Sequence, residues 1–165
     1  MAETKTIDAL NAAFIGLAVS EFRGQTRVVV PLRAIHDVMA ELKQRHGFDL
    51  LVDLSCVDYL SYRGAKDRFG MVYLLTNTQT NERLTIRTFV NDPDPAVPTM
   101  VDLWEAANWL EREVWDLFGV RFDGHPDLRR IMLPEQFESH PLRKDYPLQG
   151  RGERHNLPVL RRADG

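Results

Sequence analysis

Three histidines recur at intervals of 15 residues toward the C-terminus: His125, His140 and His155. Histidine at regular spacing is one way to hold a metal ion. Two of the three share a local context, His-Pro followed by Leu-Arg with one intervening Asp in the first case. His-Pro marks a turn whose imidazole serves a nearby backbone group. A structural role is therefore expected, and no metal. Glu111 and Glu113 offer a pair of carboxylates, but two positions on a helix point about 160° apart. They cannot act together on one substrate atom. Glu111 is expected instead to form an ion pair with an arginine from further along the chain. Cys56 is the only cysteine, which excludes an internal disulfide and CxxC sites. It also excludes an iron–sulfur cluster held by this polypeptide alone, which takes about four thiolates. Placed on the apolar face of a strand, Cys56 reads as a small buried hydrophobe. No GxGxxG or Walker loop offers a cradle for NADH or ATP. No Ser-His-Asp set stands at a usable spacing.

The elements that would position these residues lie between Thr99 and Tyr146. A helix is expected from Thr99 to Phe118, with Thr99 and Asp102 as a weak capping box and Gly119 as its stop. Leu103, Ala107, Leu110, Val114 and Leu117 form one stripe, suited to a sheet. Trp104, Asn108, Glu111 and Trp115 form a second, roughly 100° away. Two tryptophans on a solvated face would be wasteful, so this stripe is expected to meet a partner or the protein's own C-terminal segment. Arg112 and Asp116 fall on the far side. From Gly119 onward five of the nine prolines appear, and neither a helical nor a strand period is present. Phe122, Leu128, Ile131, Met132, Leu133, Phe137, Leu142 and Tyr146 are spaced apolar anchors. Arg129, Arg130, Arg143 and Lys144 suit carboxylates on a partner. Extended backbone with such anchors is how one protein wraps another.

The residues before Thr99 read as a small two-layer body. A short helix is expected at 7–14, with Thr6 as N-cap and Gly16 after it. LAVSEF and TRVVV flank a turn at Gly24. A helix starts at Pro31, with Leu32, Ile35, Val38, Met39 and Leu42 as its apolar stripe and Gly47 as its C-cap. Three strands follow. Leu50, Val52, Leu54 and Cys56 are expected on one face of the first. Phe69 to Leu75 reads as the central strand, and Leu84 and Ile86 as the buried side of the third. Asn77 to Asn81 joins the last two as a hairpin, and the Pro-rich NDPDPAVP ends the series. The order α-β-β-α-β-β-β-α describes an α+β domain with a mixed or antiparallel sheet. The division expected is a body, 1–118, and an extended partner-binding segment, 119–165.

Composition is that of an ordinary globular protein, 44% hydrophobic and 27% charged over 165 residues. The net charge of −3 does not point to nucleic acid. Residues 119–165 carry nine basic and seven acidic side chains, against twelve and seventeen in the first 118. A mildly basic tail on an acidic body suits an acidic partner surface. No apolar run approaches the roughly 20 residues that span a bilayer. The N-terminus lacks the pattern of a secretory signal, so a cytoplasmic protein without membrane insertion is expected.

One stretch carries a resemblance. Glu111-Arg112-Glu113, Val114-Trp115, Asp116 and Leu117-Phe118 precede six residues, His125, three residues and Arg129-Arg130-Ile131-Met132. LPEQFESHPLRKDYPL follows, and VDLSCVDYL, RFGMVYLL and LTIRTFV lie upstream. Together these resemble the 30-kilodalton subunit family of the proton-pumping NADH:quinone oxidoreductase (respiratory complex I). Met132 and Phe137 are mild departures. The resemblance implies a non-catalytic subunit of the hydrophilic arm, scaffolding the quinone-site subunit. It further implies contacts with the cluster-bearing subunits and other members of the hydrophilic arm, and a peripheral place on the cytoplasmic face of the cell membrane. FMN and the iron–sulfur clusters would sit in those partners, with none in this polypeptide. The implied signature and contact residues are Trp104, Glu111, Arg112, Glu113, Trp115, Asp116, His125, Arg129, Arg130, Pro134, His140, Pro141, Arg143, Lys144, Asp145 and Tyr146. A hydrogenase-type or photosynthetic relative of the same machine is a second reading, and a free-standing α+β enzyme a remote third.

Overall fold

The computed structural model of the protein describes residues 2–155. The last ten residues of the C-terminal segment expected at 119–165 lie outside the described residues. Helix α1 spans Ala2–Ala13, earlier than expected, so Thr6 lies inside the helix rather than capping it. Strands β1 (Ala18–Phe22) and β2 (Gln25–Val29) form a hairpin whose turn puts Arg23 and Gly24 at positive φ, 53° and 74°. That is the pairing a two-residue hairpin turn requires. A short 3-10 turn at Leu32–Ala34 leads into α2, Ile35–His46. Ile35, Val38, Met39 and Leu42 are completely buried, and Leu32 is left outside the stripe. Gly47 closes α2 in the left-handed conformation, its amide donating to Leu42.

The sheet continues with β3 (Leu50–Asp58), β4 (Phe69–Thr76) and β5 (Arg83–Val90). Its order is β1-β2-β5-β4-β3. The pair β2–β5 is parallel and the other pairs are antiparallel. The sheet is therefore mixed, and β5 takes the centre expected for β4. β4 is an interior strand all the same, with a neighbour on each side. A second correction concerns β3. The register shifts between Leu51 and Asp53, so Leu51 and Leu54 are both buried while Leu50 and Val52 face out. A bulge of this kind flips the alternation, which a period of two cannot anticipate.

The Pro-rich stretch does not end the strands. Ala96–Pro98 forms β6, which pairs in parallel with β7, Arg121–Asp123, beyond the last helix. Val97 and Phe122 of this small sheet are buried. Helix α3 runs Ala107–Phe118, eight positions shorter at its start than expected. Met100 to Trp104 form a separate turn, closed by the Leu103 and Trp104 amides on the Met100 carbonyl. Thr99 and Asp102 do not cap the helix. The Thr99 hydroxyl reaches Glu111, and Asp102 bonds His36 at 2.9 Å. One continuous core joins Leu10 of α1, the stripe of α2, the inner face of the sheet, and Leu103, Trp104, Ala107 and Val114.

Candidate functional site

Helix α3 buries charge. Glu111 and Asp116 are fully buried and Arg112 nearly so, alongside Ala107 and Val114. Each charged group does a different job, and two of the three hold the segment that follows the helix.

Asp116 is the centre of the arrangement. One carboxylate oxygen, Oδ2, accepts three successive backbone amides, from Ile131 (3.0 Å), Met132 (2.8 Å) and Leu133 (2.9 Å). The other accepts from the Arg130 guanidinium at 2.5 Å. Arg130 also donates to the carbonyls of Asp116 and Ser139 and stacks over Trp115 and Phe137. An anion near a helix C-terminus opposes the helix dipole, so it persists only with strong donors. Burial would raise the Asp116 pKa, but the Leu133 amide, Arg130, and the Ile131 and Met132 amides together hold it below the usual carboxylate value. Arg112, one turn earlier, donates to the carbonyls of Arg129 and Arg130 at 3.1 Å each. Two side chains of α3 thus satisfy both the donors and the acceptors of the 129–133 backbone.

The histidines serve backbone too. The Asp127 amide donates to His125 Nδ1, leaving Nε2 to donate to the Asn108 carbonyl at 3.2 Å. His140 Nδ1 donates to the Asp116 carbonyl at 2.9 Å. Its ring packs edge-on against Trp115 and over Gly119, where an added Cβ would lie 2.5 Å from Cδ2. Burial lowers the His140 pKa, as do the neighbouring arginines 130 and 143. His155 lies in a short 3-10 turn at Glu153–His155.

A third buried carboxylate, Asp58, has no counterpart among the site residues expected from the sequence. It ends β3 on the inner face. It accepts from the Leu60 amide, from Arg68, and from the Lys144 amide at 2.8 Å, 86 positions away. Burial opposes ionisation here, but the Lys144 amide, Arg68 and the Leu60 amide prevail and the pKa is lowered. Arg68 bridges Asp58 (3.2 Å), Asp145 (2.8 Å) and Asp92, and Arg143 bonds Asp92 at 2.6 Å. The sequence signals for Asp58 are its place two residues after Cys56, in phase with an apolar face, and its place within VDLSCVDYL.

Several expectations change. Among the described residues Glu111 pairs with no arginine. Its oxygens accept the Met100 amide and the Thr99 hydroxyl, each at 2.6 Å. Burial pushes its pKa up to about 7, against those two hydrogen bonds. Arg130, Arg143 and Arg129 find carboxylates within the same molecule, Asp116, Asp92 and Asp127. Trp104 is buried under Lys43 of the body, while Trp115 meets the protein's own C-terminal segment at His140 and Arg130, the second of the two alternatives expected for this stripe. The exposed tryptophan is Trp109, stacked on Arg112. Glu113 and Pro134 are exposed and Pro141 is half-buried. The Tyr146 ring lies against Phe137 and under Arg151. Cys56 is buried and its thiol is pushed up to about 12, chiefly by that burial.

The family model described as "Respiratory-chain NADH dehydrogenase, 30 Kd subunit" matches residues 28–152. The protein belongs to this family.

Two relatives are similar over most of their length. The C subunit of the NADH-quinone oxidoreductase of Trichlorobacter lovleyi is 48% identical over 155 residues, covering 92% of this protein and 94% of that one. The corresponding C subunit of Geobacter sulfurreducens is 45% identical and covers 81% and 82%. Among solved structures, a trypsin-resistant fragment (1–134) of Nqo5 aligns with a TM-score of 0.71 at 37% identity, over 78% of this protein and all of the fragment. An archaeal membrane-bound sulfane sulfur reductase contains a polypeptide with the same fold, TM-score 0.78 at 21% identity, over 98% of this protein and 95% of that polypeptide. Within this 30 Kd subunit family the 129–146 segment is thus part of the matched region, and so is the strand that carries Asp58. Among the described residues no group of three His, Cys, Asp or Glu side chains could hold a metal ion. None of the helices there is long and apolar enough to cross a membrane.

Proposed function

We propose that the protein is a non-catalytic, scaffolding subunit of an NADH:quinone oxidoreductase, sited in its hydrophilic arm. It holds the quinone-site subunit in place while electrons pass from NADH through FMN and iron–sulfur clusters in other polypeptides to quinone, coupled to proton translocation. One observation carries this reading. The 129–146 backbone is bolted to the body by buried charge, and three of its apolar side chains point away. Ile131, Met132 and Leu142 are exposed, Met132 at 62%. A segment folding for its own sake would turn those side chains inward. Rigid presentation of apolar anchors lowers the ordering cost of binding. Trp109, 61% exposed on the adjacent helix, extends the same surface. Contacts with the cluster-bearing subunits and a peripheral position on the cytoplasmic membrane face follow from the same assembly. The names of the relatives between 42% and 48% identical support quinone as the acceptor over a hydrogenase-type or photosynthetic variant.

Co-purification of the tagged protein from its own membranes in mild detergent tests this. The expected result is a complex containing a quinone-site subunit and NADH-dependent quinone reduction. Met132→Glu with Leu142→Glu is expected to release the protein from it. Elution of the wild-type protein as a lone monomer would overturn the reading.

A further inference from the structure

Two sets of arginines contrast. Those that hold the C-terminal segment, Arg68, Arg130 and Arg143, all have carboxylate partners. Those on the outer face of the sheet do not. Arg27 of β2 and Arg87 of β5 face outward beside Val72 and Thr85. Among the described residues Arg27 meets only the ring of Phe22, at 4.6 Å. Arg87 donates to the Tyr59 hydroxyl and lies between the Tyr59 and Phe89 rings, while its Nε is buried with no hydrogen-bond partner. Gly70 makes this possible: a Cβ there would stand 2.8 Å from Tyr59 and 3.1 Å from Phe89. Arg83 shares the face and forms no ion pair within 4.0 Å among the described residues. Asp53 stands on this face opposite Leu74, and Asp67, which accepts from the Asn91 side-chain amide, lines a hollow with Tyr59 and Arg87, but among the described residues neither forms an ion pair with Arg27 or Arg87 within 4.0 Å. Beside the arginines an open groove of about 450 Å³ is lined by Leu50, Val52, Leu74 and Leu84. Leu50, Val52 and Leu74 are exposed.

The geometry points to a second docking surface on the outer sheet face, for a segment of another protein that carries carboxylates next to apolar side chains. Arg27 and Arg87, preorganised on aromatic rings, would take the carboxylates, and the groove would take the apolar side chains. A polyanion is disfavoured because residues 1–118 carry seventeen acidic against twelve basic groups. A second copy is disfavoured because the same basic face would meet itself across a two-fold axis. This surface lies on the opposite side of the sheet from α3, and it is independent of the anchors on the C-terminal segment.

Photocrosslinking in intact cells tests it, with benzoylphenylalanine in place of Leu74 and, in a parallel variant, in place of Met132. The Leu74 probe is expected to join a different polypeptide at a peptide containing Asp or Glu. Arg27→Glu with Arg87→Glu is expected to cut that adduct roughly tenfold, the scale of a lost charge pair, and to leave the Met132 adduct intact. Should charge reversal lower the melting temperature, Arg27→Gln with Arg87→Gln gives the same reading with less perturbation. An adduct to lipid, nucleic acid or a second copy would overturn the proposal. So would no adduct, or one indifferent to both double variants. Loss of the Met132 adduct alone would instead count against the scaffold function proposed above.

Discussion

Helices α2 and α3 have the same length, twelve residues, and both end on a left-handed glycine. Their buried faces differ in kind. α2 buries Ile35, Val38, Met39 and Leu42, and its charges stay outside. α3 buries Glu111, Arg112 and Asp116 beside Ala107 and Val114. Apolar burial is non-directional and serves a core. Buried charge is costly unless every lone pair and proton finds a partner, so it fixes particular atoms to particular atoms. α2 stabilises the body. α3 sets the path of a segment that has no secondary structure to guide it.

The sharpest way to break this contrast is Asp116→Ala. It leaves Arg130 half-buried without its carboxylate and three amides without an acceptor, at a cost of about 3–5 kcal/mol. The expected outcome is regional: hydrogen exchange rises across 129–146 while the sheet amides stay protected. Leu42→Ala should cost about 2–5 kcal/mol through cavity formation and lower the unfolding midpoint of the whole body. If both variants loosened the same amides, the division of labour between the helices would be wrong.

The pH dependence separates the carboxylates of α3 from each other. Glu111 has a raised folded pKa, so its contribution is fully present below the unfolded value near 4.5 and is lost as pH rises through about 7. Glu111→Gln should therefore gain up to roughly 3 kcal/mol relative to wild type between pH 5 and pH 8.5, read from denaturant midpoints. Asp116 and Asp58 have depressed values, so their contribution is present above the ordinary carboxylate pKa and is lost as pH falls below it. Acid should detach the 129–146 segment before the sheet melts, followed by the fluorescence of Trp115. The smallest effect is expected from Gly119→Ala, about 1–2 kcal/mol, the cost of an L side chain at φ 73° plus displacement of His140. Gly47→Ala, at the matching position of α2 and at φ 71°, would meet the Asn77 amide, which is held by the His46 carbonyl and by the Gln79 and Thr80 amides.

Local pattern is enough for most elements. The stripe of α2, the Gly24 turn, the Asn77–Asn81 hairpin, β4, β5 and the two glycine stops can all be read from spacing and residue type. These signals are local because backbone conformation and amphipathic period are local properties. The start of α3 is misplaced by pattern alone, because Thr99 and Asp102 form an N-terminal signature whose side chains are used elsewhere. The facing of Leu50 and Val52 is misread because a bulge leaves no period to detect.

The sequence by itself determined an α+β body, the end of α3 at Gly119, a non-repetitive segment after it, and a resemblance to a family through about forty residues of motif. Only the tertiary structure decided what the charged motif residues do. Asp116 and Arg130 are fourteen positions apart, Asp58 and Lys144 eighty-six, and Arg143 and Asp92 fifty-one. An ion pair depends on the distance between charged atoms, which sequence separation does not set. For that reason Arg130 and Arg143 proved to be paired within the molecule, while among the described residues Arg27 and Arg87 on the outer sheet face meet aromatic residues and no carboxylate within 4.0 Å.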